Sequence, residues 1–407
     1  MLGCHILWPN AAGAQFDELN DGDRLYLVPD GLLFVWPFVS VGHNVTLPAD
    51  LLQLPVGHEA IVIESISASP LVFKLHNFFT AAEADELIRA AEAITDPQFM
   101  LKRSATGVHT DPDKVVYATT RTSENAFDPN TPTAMTLKRR MFELLRIPEY
   151  QEDMADGLQL LRYRQKQAYI PHHDWFDDGA DPTFNFDPAT GGSNRFATVF
   201  LYLSDVELGG QTVFPLVDAP SAPIAGIERD PMPAIATELF NESDWELDVV
   251  RKCYSKLSVR PQKATAVLFY SQSGAGVLDE MSLHGACPVL QGTKWGANLW
   301  VWNKPRHGLS SAAGSKKASE FVTIVGVFVN RFPGEIELYW TDKLLATIAA
   351  GDRSSFNTYH SHEWSAKYLG KRVWAHTISL DDGTAQTFYI DEPADELEVD
   401  IGHRDEL

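Results

Sequence analysis

The chain has 407 residues, more than one typical domain, and 44% of them are hydrophobic, which is enough for full apolar cores. Lys and Arg number 33 against 55 Asp and Glu, and the net charge of −22 argues against a general nucleic-acid binder. The best candidate for a membrane span, residues 31–47, is shorter than the roughly 20 apolar residues required and contains Pro37, so we expect a strand pair there and no stable membrane insertion.

The first part of the chain has the pattern of strands followed by two helices. Residues 22–75 alternate apolar runs with Gly, Pro and Asp, which is typical of strands. Residues 80–94 predict a helix, because Thr80 can cap its N-terminus, acidic residues follow and apolar positions form a stripe. Residues 132–146 predict a second helix, with Pro132 near its start.

From residue 158 onward, short strands separated by Gly and Pro predict a β-sandwich or jelly roll. Two polar segments, 177–194 and 218–247, interrupt it, and we expect both to be surface loops. Residues 304–319 are rich in Gly, Ser and Ala and indicate a linker. The strand-rich stretch 320–391 is long enough for a small β-sandwich.

The segment "YIPHHDWF" (169–176) combines two histidines with an aspartate. Residues i and i+2 of a strand share a face, so His172 and Asp174 should converge while His173 points away. A histidine and a carboxylate on one face need one more histidine to complete the facial triad that binds non-haem Fe(II). Taken alone, the segment is equally compatible with a polar loop that binds nothing.

A third ligand has to come from a different strand. His284 lies on a short apolar stretch just before a glycine, and Lys294 follows it. A lysine directed into the interior of a β-barrel is costly unless it meets a carboxylate. Lys294 would therefore suit a dicarboxylate co-substrate.

Residues 69–303 resemble the prolyl 4-hydroxylases of the Fe(II)/2-oxoglutarate dioxygenase superfamily. The resemblance is carried, in family order, by "ATTRTSENAF" (118–127), "YRQKQAYIPHHDWF" (163–176), "RFATVFLYLSDVELGGQTVFP" (195–215), "LSVRPQKATAVLFYS" (257–271) and "SLHGACPVLQGTKW" (282–295). It implies a double-stranded β-helix core with flanking N-terminal helices. One departure is Ala264, which stands where the family usually has glycine.

The resemblance also implies a role for individual residues of the site. His172, Asp174 and His284 would bind the iron. Lys294 would pair with the distal carboxylate of 2-oxoglutarate, and Tyr163 matches the tyrosine whose hydroxyl helps to hold that co-substrate.

Two further positions are candidate catalytic residues of the substrate pocket: Arg195 matches an arginine near the peptide site, and Trp300 matches a tryptophan that lines the pocket. The implied reaction couples oxidative decarboxylation of 2-oxoglutarate to 4-hydroxylation of proline in a proline-rich polypeptide. It would use Fe(II) and O₂, with L-ascorbate restoring oxidised iron. The alternatives are a hydroxylase acting on lysine or on an oxygen-sensing protein, and a non-catalytic peptide-binding module.

A second resemblance lies near the C-terminus. Residues 328–342 and 349–364 resemble the β domain of the von Hippel–Lindau tumour suppressor. The positions that match that family's hydroxyproline-binding cluster are Trp340, Thr358, Tyr359, His362 and Trp364. Thr358 replaces a serine, and Leu345 replaces the tyrosine at the floor of the pocket. The hypothesis from this cluster is that the domain binds the hydroxylated product, and the alternative is a sandwich that shares the fold without that binding.

The sequence thus predicts a mainly β protein with flanking N-terminal helices, in which a jelly-roll (double-stranded β-helix) catalytic domain precedes a small C-terminal β-sandwich. The predicted divisions are a β-rich extension packing on the catalytic domain (1–75), the dioxygenase domain (76–303), the linker (304–319), the von Hippel–Lindau-like domain (320–391) and an acidic tail (392–407).

The two ends of the chain give different indications of its location. The final residues 404–407, "RDEL", resemble the KDEL retrieval signal and predict the lumen of the endoplasmic reticulum, whereas residues 1–15 contain no Lys or Arg and make a poor signal peptide. A disulfide between Cys253 and Cys287 is one open alternative, and the oligomeric state is also left open by the sequence.

Overall fold

The computed structural model describes most of the chain. The described residues are 4–7, 26–47, 52, 54, 57–95, 100–104, 120–177, 184–306, 324–340, 343–358, 362–379, 382–383 and 385–391. Most of the predicted linker and the whole acidic tail lie outside them. The chain divides into two compact units, Met1–Ala318 and Ser319–Leu407. Within the described ranges, no helix has the length and apolar character needed to cross a membrane.

The first unit is built mainly from strands. Within the described ranges they are β1 (Cys4–Leu7), β2 (Tyr26–Pro29), β3 (Asn44–Leu47), β4 (Ile61–Ala68), β5 (Leu71–His76), β6 (Lys102–Arg103), β7 (Glu124–Phe127), β8 (Gln159–Tyr163), β9 (Tyr169–His172), β10 (Arg195–Tyr202), β11 (Leu208–Gly209), β12 (Thr212–Phe214), β13 (Leu257–Val259), β14 (Thr265–Tyr270), β15 (His284–Ala286), β16 (Val289–Gln291) and β17 (Lys294–Trp302). The helices are α1 (Ala81–Ala93), α2 (Pro132–Leu144), α3 (Ile235–Leu239) and α4 (Trp245–Cys253). Short 3₁₀ turns occur at Glu152–Met154, Pro188–Thr190 and Glu280–Ser282.

Two sheets enclose the centre of this unit. The large sheet has nine strands in the order β3-β4-β5-β14-β10-β17-β8-β7-β6, and the small sheet has the order β13-β12-β15-β9. Apolar side chains from both sheets form one buried cluster, in which the Phe214 ring of β12 packs edge-on against the Phe269 ring of β14. Two antiparallel sheets closed over a shared apolar core form a double-stranded β-helix, and the predicted fold class is confirmed.

Both predicted helices form on the outside of the large sheet. Thr80 and Glu83 make a reciprocal capping box at the start of α1, and the Thr131 hydroxyl caps α2, whose first residue is Pro132. Apolar residues of both helices, including Leu87, belong to the same buried cluster as strands of the large sheet. The helix predictions are confirmed to within two residues.

The predicted strand pair at 31–47 is wrong, because only β3 forms there. Trp36 is one of the residues that fasten the segment before β3. The Trp36 backbone N–H donates to the Tyr270 hydroxyl, and its indole N–H donates to the Leu144 carbonyl. Pro37 has no N–H for a strand ladder, so the apolar character of this stretch serves side-chain packing.

The predicted loop at 218–247 is also partly wrong, since α3 and the start of α4 lie within it. Asp244 precedes α4, acidic residues occupy its first turn and basic residues its last turn, so the signals of a helix were present. The helix ends at Cys253, which forms a disulfide with Cys287. The bond fastens this insertion to the connection between β15 and β16.

The second unit contains two small sheets. Its described strands are β18 (Ile324–Asn330), β19 (Ile336–Trp340), β20 (Lys343–Ile348), β21 (Arg353–Thr358), β22 (Glu363–Tyr368), β23 (Lys371–Thr377) and β24 (Ala385–Ile390). The sheet orders are β21-β18-β24 and β20-β19-β22-β23. Phe328 of the first sheet lies 4.4 Å from Trp364 of the second, measured between ring centroids, so aromatic rings join the two layers of a small sandwich.

Candidate active site

The side chains of His172, Asp174 and His284 meet where two strands of the small sheet pair. His172 ends β9, His284 begins β15, and the two residues are direct partners in the antiparallel ladder. One ligand atom from each of the three residues lies within 4.8 Å of the others. The His172 Nε2 atom is 3.8 Å from Oδ1 of Asp174, and the His284 Nε2 atom is 3.6 Å from Oδ2. The structure therefore brings together the three predicted metal-binding side chains, which we call the triad.

Backbone carbonyls orient both imidazoles of the triad. Nδ1 of His172 lies 2.9 Å from the Ile170 carbonyl oxygen, and Nδ1 of His284 lies 3.0 Å from the Ser282 carbonyl oxygen. A carbonyl oxygen only accepts, so each Nδ1 carries the proton and each Nε2 keeps its lone pair for a metal. Burial, helped by the neighbouring His284, lowers the pKa of His172 and keeps that ring neutral, as metal coordination requires.

Asp174 supplies the charge of the triad from a buried position, with 5% of its surface exposed. Burial by itself would raise the pKa of this carboxyl, but the facing imidazoles, Arg195 and a hydrogen bond from Thr198 lower it. The Thr198 hydroxyl donates to Oδ2 at 2.6 Å. Two neutral imidazole nitrogens and one carboxylate form the donor set of non-haem Fe(II) enzymes, so these residues fit that metal.

His173 lies outside the triad, as strand alternation predicts. Its ring stacks on Trp175 with 4.5 Å between the ring centroids, and its Nε2 atom is 3.0 Å from the Glu280 carbonyl oxygen. The adjacent histidine therefore packs against the 3₁₀ turn and does not face Asp174.

Lys294 lies at the start of β17, directly opposite Tyr163 of β8. Its side chain is fully buried, and its Nζ atom makes no hydrogen bond within the described part of the chain. The ammonium lies 4.8 Å from the Phe200 ring centroid and 5.5 Å from that of Tyr202. Burial lowers the pKa of Lys294 to about 7. A buried amine without an acceptor is costly, so this pocket fits a ligand carboxylate.

Tyr163 connects Lys294 to the segment that contains Arg121 and Ser123. Burial raises the pKa of the Tyr163 hydroxyl, opposed by the positive charge of Arg121 and by hydrogen bonds with the Ser123 and Arg121 side chains. The Arg121 guanidinium also lies 5.0 Å from the ring centroid of Tyr169, and Tyr169 stacks on His172 at 3.7 Å. A continuous set of contacts therefore runs from the lysine pocket to the triad.

The two candidate catalytic residues, Arg195 and Trp300, lie against each other beside the triad. The guanidinium of Arg195 is 3.8 Å from the centroid of the Trp300 ring. Its Nη1 atom donates to the Asp174 carbonyl oxygen at 3.2 Å, and its Nε atom donates to the Asp156 carboxylate at 2.9 Å. Arg195 is thus fixed next to a metal-binding residue, and the structure brings this pair to the site as well.

Three residues that sequence reasoning missed complete these contacts: Thr198, Tyr169 and Asp156. Thr198 could have been found, because a threonine hydroxyl in the mostly apolar strand "FATVFLYL" needs a buried hydrogen-bond partner. Tyr169 lies three residues before His172, which gives only a weak signal. Nothing in the local sequence links Asp156 to Arg195.

Comparisons with known proteins agree with this site. Residues 158–302 match the model of the 2OG-Fe(II) oxygenase superfamily. The chain is 34% identical over 241 residues to probable prolyl 4-hydroxylase 3 of Arabidopsis thaliana, an alignment that covers 58% of this chain and 71% of that relative. It is 31% identical over 245 residues to prolyl 4-hydroxylase 1 of the same plant, covering 59% of this chain and 72% of the relative.

Two solved structures are similar to part of the chain. The viral collagen prolyl hydroxylase of Paramecium Bursaria Chlorella virus-1 is 21% identical, with a TM-score of 0.34, and the match covers 57% of this chain and 95% of that one. A Pseudomonas putida prolyl-4-hydroxylase is 15% identical, with a TM-score of 0.33, and the match covers 56% of this chain and 91% of that one.

The triad and the curated relatives together define the class of protein: the chain belongs to the 2OG-Fe(II) oxygenase superfamily. Within that superfamily it is a dioxygenase of the prolyl 4-hydroxylase-like type. The Fe(II) and 2-oxoglutarate predicted from the sequence are the metal and co-substrate typical of this superfamily.

Proposed function

We propose that this chain hydroxylates proline at C4 in proline-rich polypeptides. The observation that carries the proposal is that a continuous set of contacts joins the triad to the buried amine of Lys294, which makes no hydrogen bond within the described part of the chain. The names of the plant relatives supply the proline specificity of the proposal.

Each group of the site has a role in this proposal. His172, Asp174 and His284 would hold Fe(II), and the bound iron would supply the oxidising chemistry that couples 2-oxoglutarate decarboxylation to hydroxylation. Lys294 and Tyr163 would bind the distal carboxylate of 2-oxoglutarate. Burial of Asp174 and His284 would limit the access of water to the triad, which protects a reactive centre from side reactions.

The neighbouring pair Arg195 and Trp300 would orient the peptide. Both are held beside Asp174, so a peptide that contacts them is brought close to the metal. Orientation of this kind lowers the entropic part of the barrier. L-ascorbate would sustain turnover by reducing iron that has oxidised without product formation.

The direct test is succinate release from 2-oxoglutarate with Fe(II) and a proline-rich peptide, followed by mass spectrometry of the peptide. We expect a gain of one oxygen on proline. His284→Ala should abolish turnover, whereas His173→Ala, a matched change at a histidine outside the triad, should keep it. Full activity of His284→Ala would contradict the site, and oxygen found only on lysine would favour the alternative substrate.

The other alternative is a peptide-binding module without catalytic activity. An intact triad with oriented imidazoles argues against it, because a pure binding module has no need for three converging side chains of metal-binding type. Absence of succinate release with every peptide tested, from protein that binds those peptides, would favour the module.

We also propose that the protein acts in the lumen of the endoplasmic reticulum. The support is the terminal "RDEL", which lies outside the described residues, together with the Cys253–Cys287 disulfide, since disulfides persist in oxidising compartments. Deleting residues 404–407 should send a lumenal protein into the medium. Unchanged retention would contradict this location.

For the second unit we propose binding of hydroxyproline, by resemblance to the von Hippel–Lindau β domain. The Trp364 indole N–H donates to the Thr358 hydroxyl oxygen at 2.8 Å, and that oxygen is 3.2 Å from Nδ1 of His362. The Trp340 and His362 ring centroids are 4.8 Å apart, and burial lowers the pKa of His362 to about 4, so the ring is neutral. Tyr359 of the predicted cluster lies outside the described residues.

A binding comparison in the full-length His284→Ala protein tests this second proposal without turnover. A hydroxyproline peptide should bind more tightly than its proline counterpart, and Thr358→Val should remove the difference. Thr377→Val, the same change at an exposed position of β23, should preserve it. Equal binding of the two peptides by the parent protein would contradict the proposal.

A further inference from the structure

Asp156 lies between Arg195 and Arg306. Only Arg195 is among the site residues predicted from the sequence. Its Oδ2 atom accepts from Nε of Arg195 at 2.9 Å, and its Oδ1 atom accepts from Nη1 of Arg306 at 2.7 Å. The Asp156 side chain is 12% exposed, so both ion pairs are largely shielded from solvent. One carboxylate therefore receives both guanidinium groups, and its orientation depends on each of them.

Arg306 is itself held rigidly. Its Nη2 atom donates to the Ala155 carbonyl at 2.6 Å and its Nε atom to the Asp153 carbonyl at 3.1 Å, while its backbone N–H donates to the Asp153 carbonyl at 2.9 Å. The planar fork of a guanidinium can satisfy several acceptors at once, which an ammonium cannot do. Arg306 thus fastens the 152–156 segment and points one nitrogen at Asp156.

The other side of Asp156 leads to the metal site. Arg195 stacks on Trp300 and donates to the carbonyl oxygen of Asp174. The Asp156 backbone N–H also donates to the Trp300 carbonyl at 3.3 Å. If the carboxylate turned, Arg195 would lose the bond that sets the angle of its guanidinium over the indole.

We infer that Arg306 is a positioning residue for the peptide pocket: it holds Asp156, and Asp156 fixes Arg195 against Trp300. This inference rests on the proposed function, because it assigns Arg195 to the peptide. Arg306 touches neither the triad nor Lys294 by any described contact. Its loss should therefore affect the peptide and leave 2-oxoglutarate binding intact.

The test measures Arg306→Gln and Arg306→Lys in the full-length enzyme. Arg306→Gln should lower kcat/KM for a proline-rich peptide about tenfold, with the KM for 2-oxoglutarate within about twofold of wild type, since a charge-assisted hydrogen bond is removed from one side of the site only. Arg306→Lys should be intermediate, because lysine keeps the charge but not the fork. Fluorescence anisotropy of the labelled peptide without O₂ should show the same loss as a weaker Kd.

A double-mutant cycle separates positioning from general damage. If Arg306 acts through Asp156, then Arg306→Gln combined with Asp156→Asn should be no worse than Asp156→Asn alone. Arg251→Gln removes an exposed arginine from its ion pairs on α4 and should leave both KM values unchanged. Additive effects in the cycle, or equal losses for peptide and 2-oxoglutarate, would overturn the inference.

The outcome for the wild-type enzyme distinguishes this inference from the proposed function. No peptide-dependent succinate release by wild type would contradict the proposed function and the inference that rests on it. Normal wild-type turnover with an unchanged peptide kcat/KM in Arg306→Gln would contradict the positioning role alone.

Discussion

Replacing Lys294 by methionine should stabilise the protein in the absence of ligand. Burial lowers the pKa of this amine from 10.5 to about 7, and the side chain has no exposed surface. At pH 7 that shift corresponds to a cost of about 4 kcal/mol relative to an unperturbed lysine. Methionine is similar in length and has no charge to bury, so the unfolding free energy should rise by up to about this amount.

The stability gain should depend on pH in a defined direction. Because the folded-state pKa of Lys294 is lowered, the unfolded chain binds more protons between pH 7 and 10.5, and the contribution of this lysine to stability rises with pH in that window. The advantage of Lys294→Met should therefore be fully present below pH 7 and shrink as the pH rises toward 10.5. Denaturant unfolding at several pH values measures it.

A matched control and a ligand complete the experiment. Lys138 is equally buried but is paired with Glu152 at 3.0 Å, so Lys138→Met should destabilise the protein where Lys294→Met stabilises it. 2-Oxoglutarate at 100 times its Kd for wild type should stabilise wild type by about 2.7 kcal/mol. The same concentration should stabilise Lys294→Met far less. If Lys294→Met is less stable than wild type at pH 7, or gains equally from 2-oxoglutarate, the reasoning is refuted.

Three further predictions concern single contacts. Thr198→Val removes the hydroxyl bonded to Asp174 and should weaken Fe(II) affinity about tenfold in a metal titration, with the thermal unfolding curve little changed. Ala264 has φ +64°, so Ala264→Gly should raise the unfolding free energy by about 0.5–1 kcal/mol; a loss of stability would contradict it. Reduction of the Cys253–Cys287 disulfide should lower stability by about 3 kcal/mol, and Cys253→Ser should make the protein insensitive to reductant.

Elements with local signals were predictable from the sequence. The capping box at Thr80 and Glu83 marks the start of α1, and Pro132 marks the start of α2, so both helices could be placed to within two residues. The prediction of a strand pair at 31–47 was wrong because a strongly apolar, aromatic sequence can form a strand or can pack its side chains without one. Which of the two occurs depends on Tyr270 and Leu144, which are remote in sequence.

The structure brings together the three side chains that the sequence predicts to converge, but part of the reasoning needs revision. Strand alternation placed His172 and Asp174 on one face, whereas β9 ends at His172 and Asp174 lies in the turn that follows. The ladder that places His284 opposite His172 is a tertiary contact that no local pattern contains. The resemblance to a family supplied the role of His284 as a third ligand, and spacing alone could not have done so.

The hydrogen bonding of the site differs between the residues that would bind the metal and the residue that would bind the co-substrate. Both Nδ1 atoms of the triad donate to backbone carbonyls and Asp174 accepts from Thr198, so the metal-binding side chains are oriented before a metal arrives. Lys294 has no such partner among the described residues and carries a free-energy cost until a carboxylate reaches it. Binding of the dicarboxylate should therefore stabilise the fold through relief of that cost, while metal binding draws on geometry already in place. A site arranged in this way favours a co-substrate with a negative charge at its far end, which selects a dicarboxylate over a monocarboxylate of similar size.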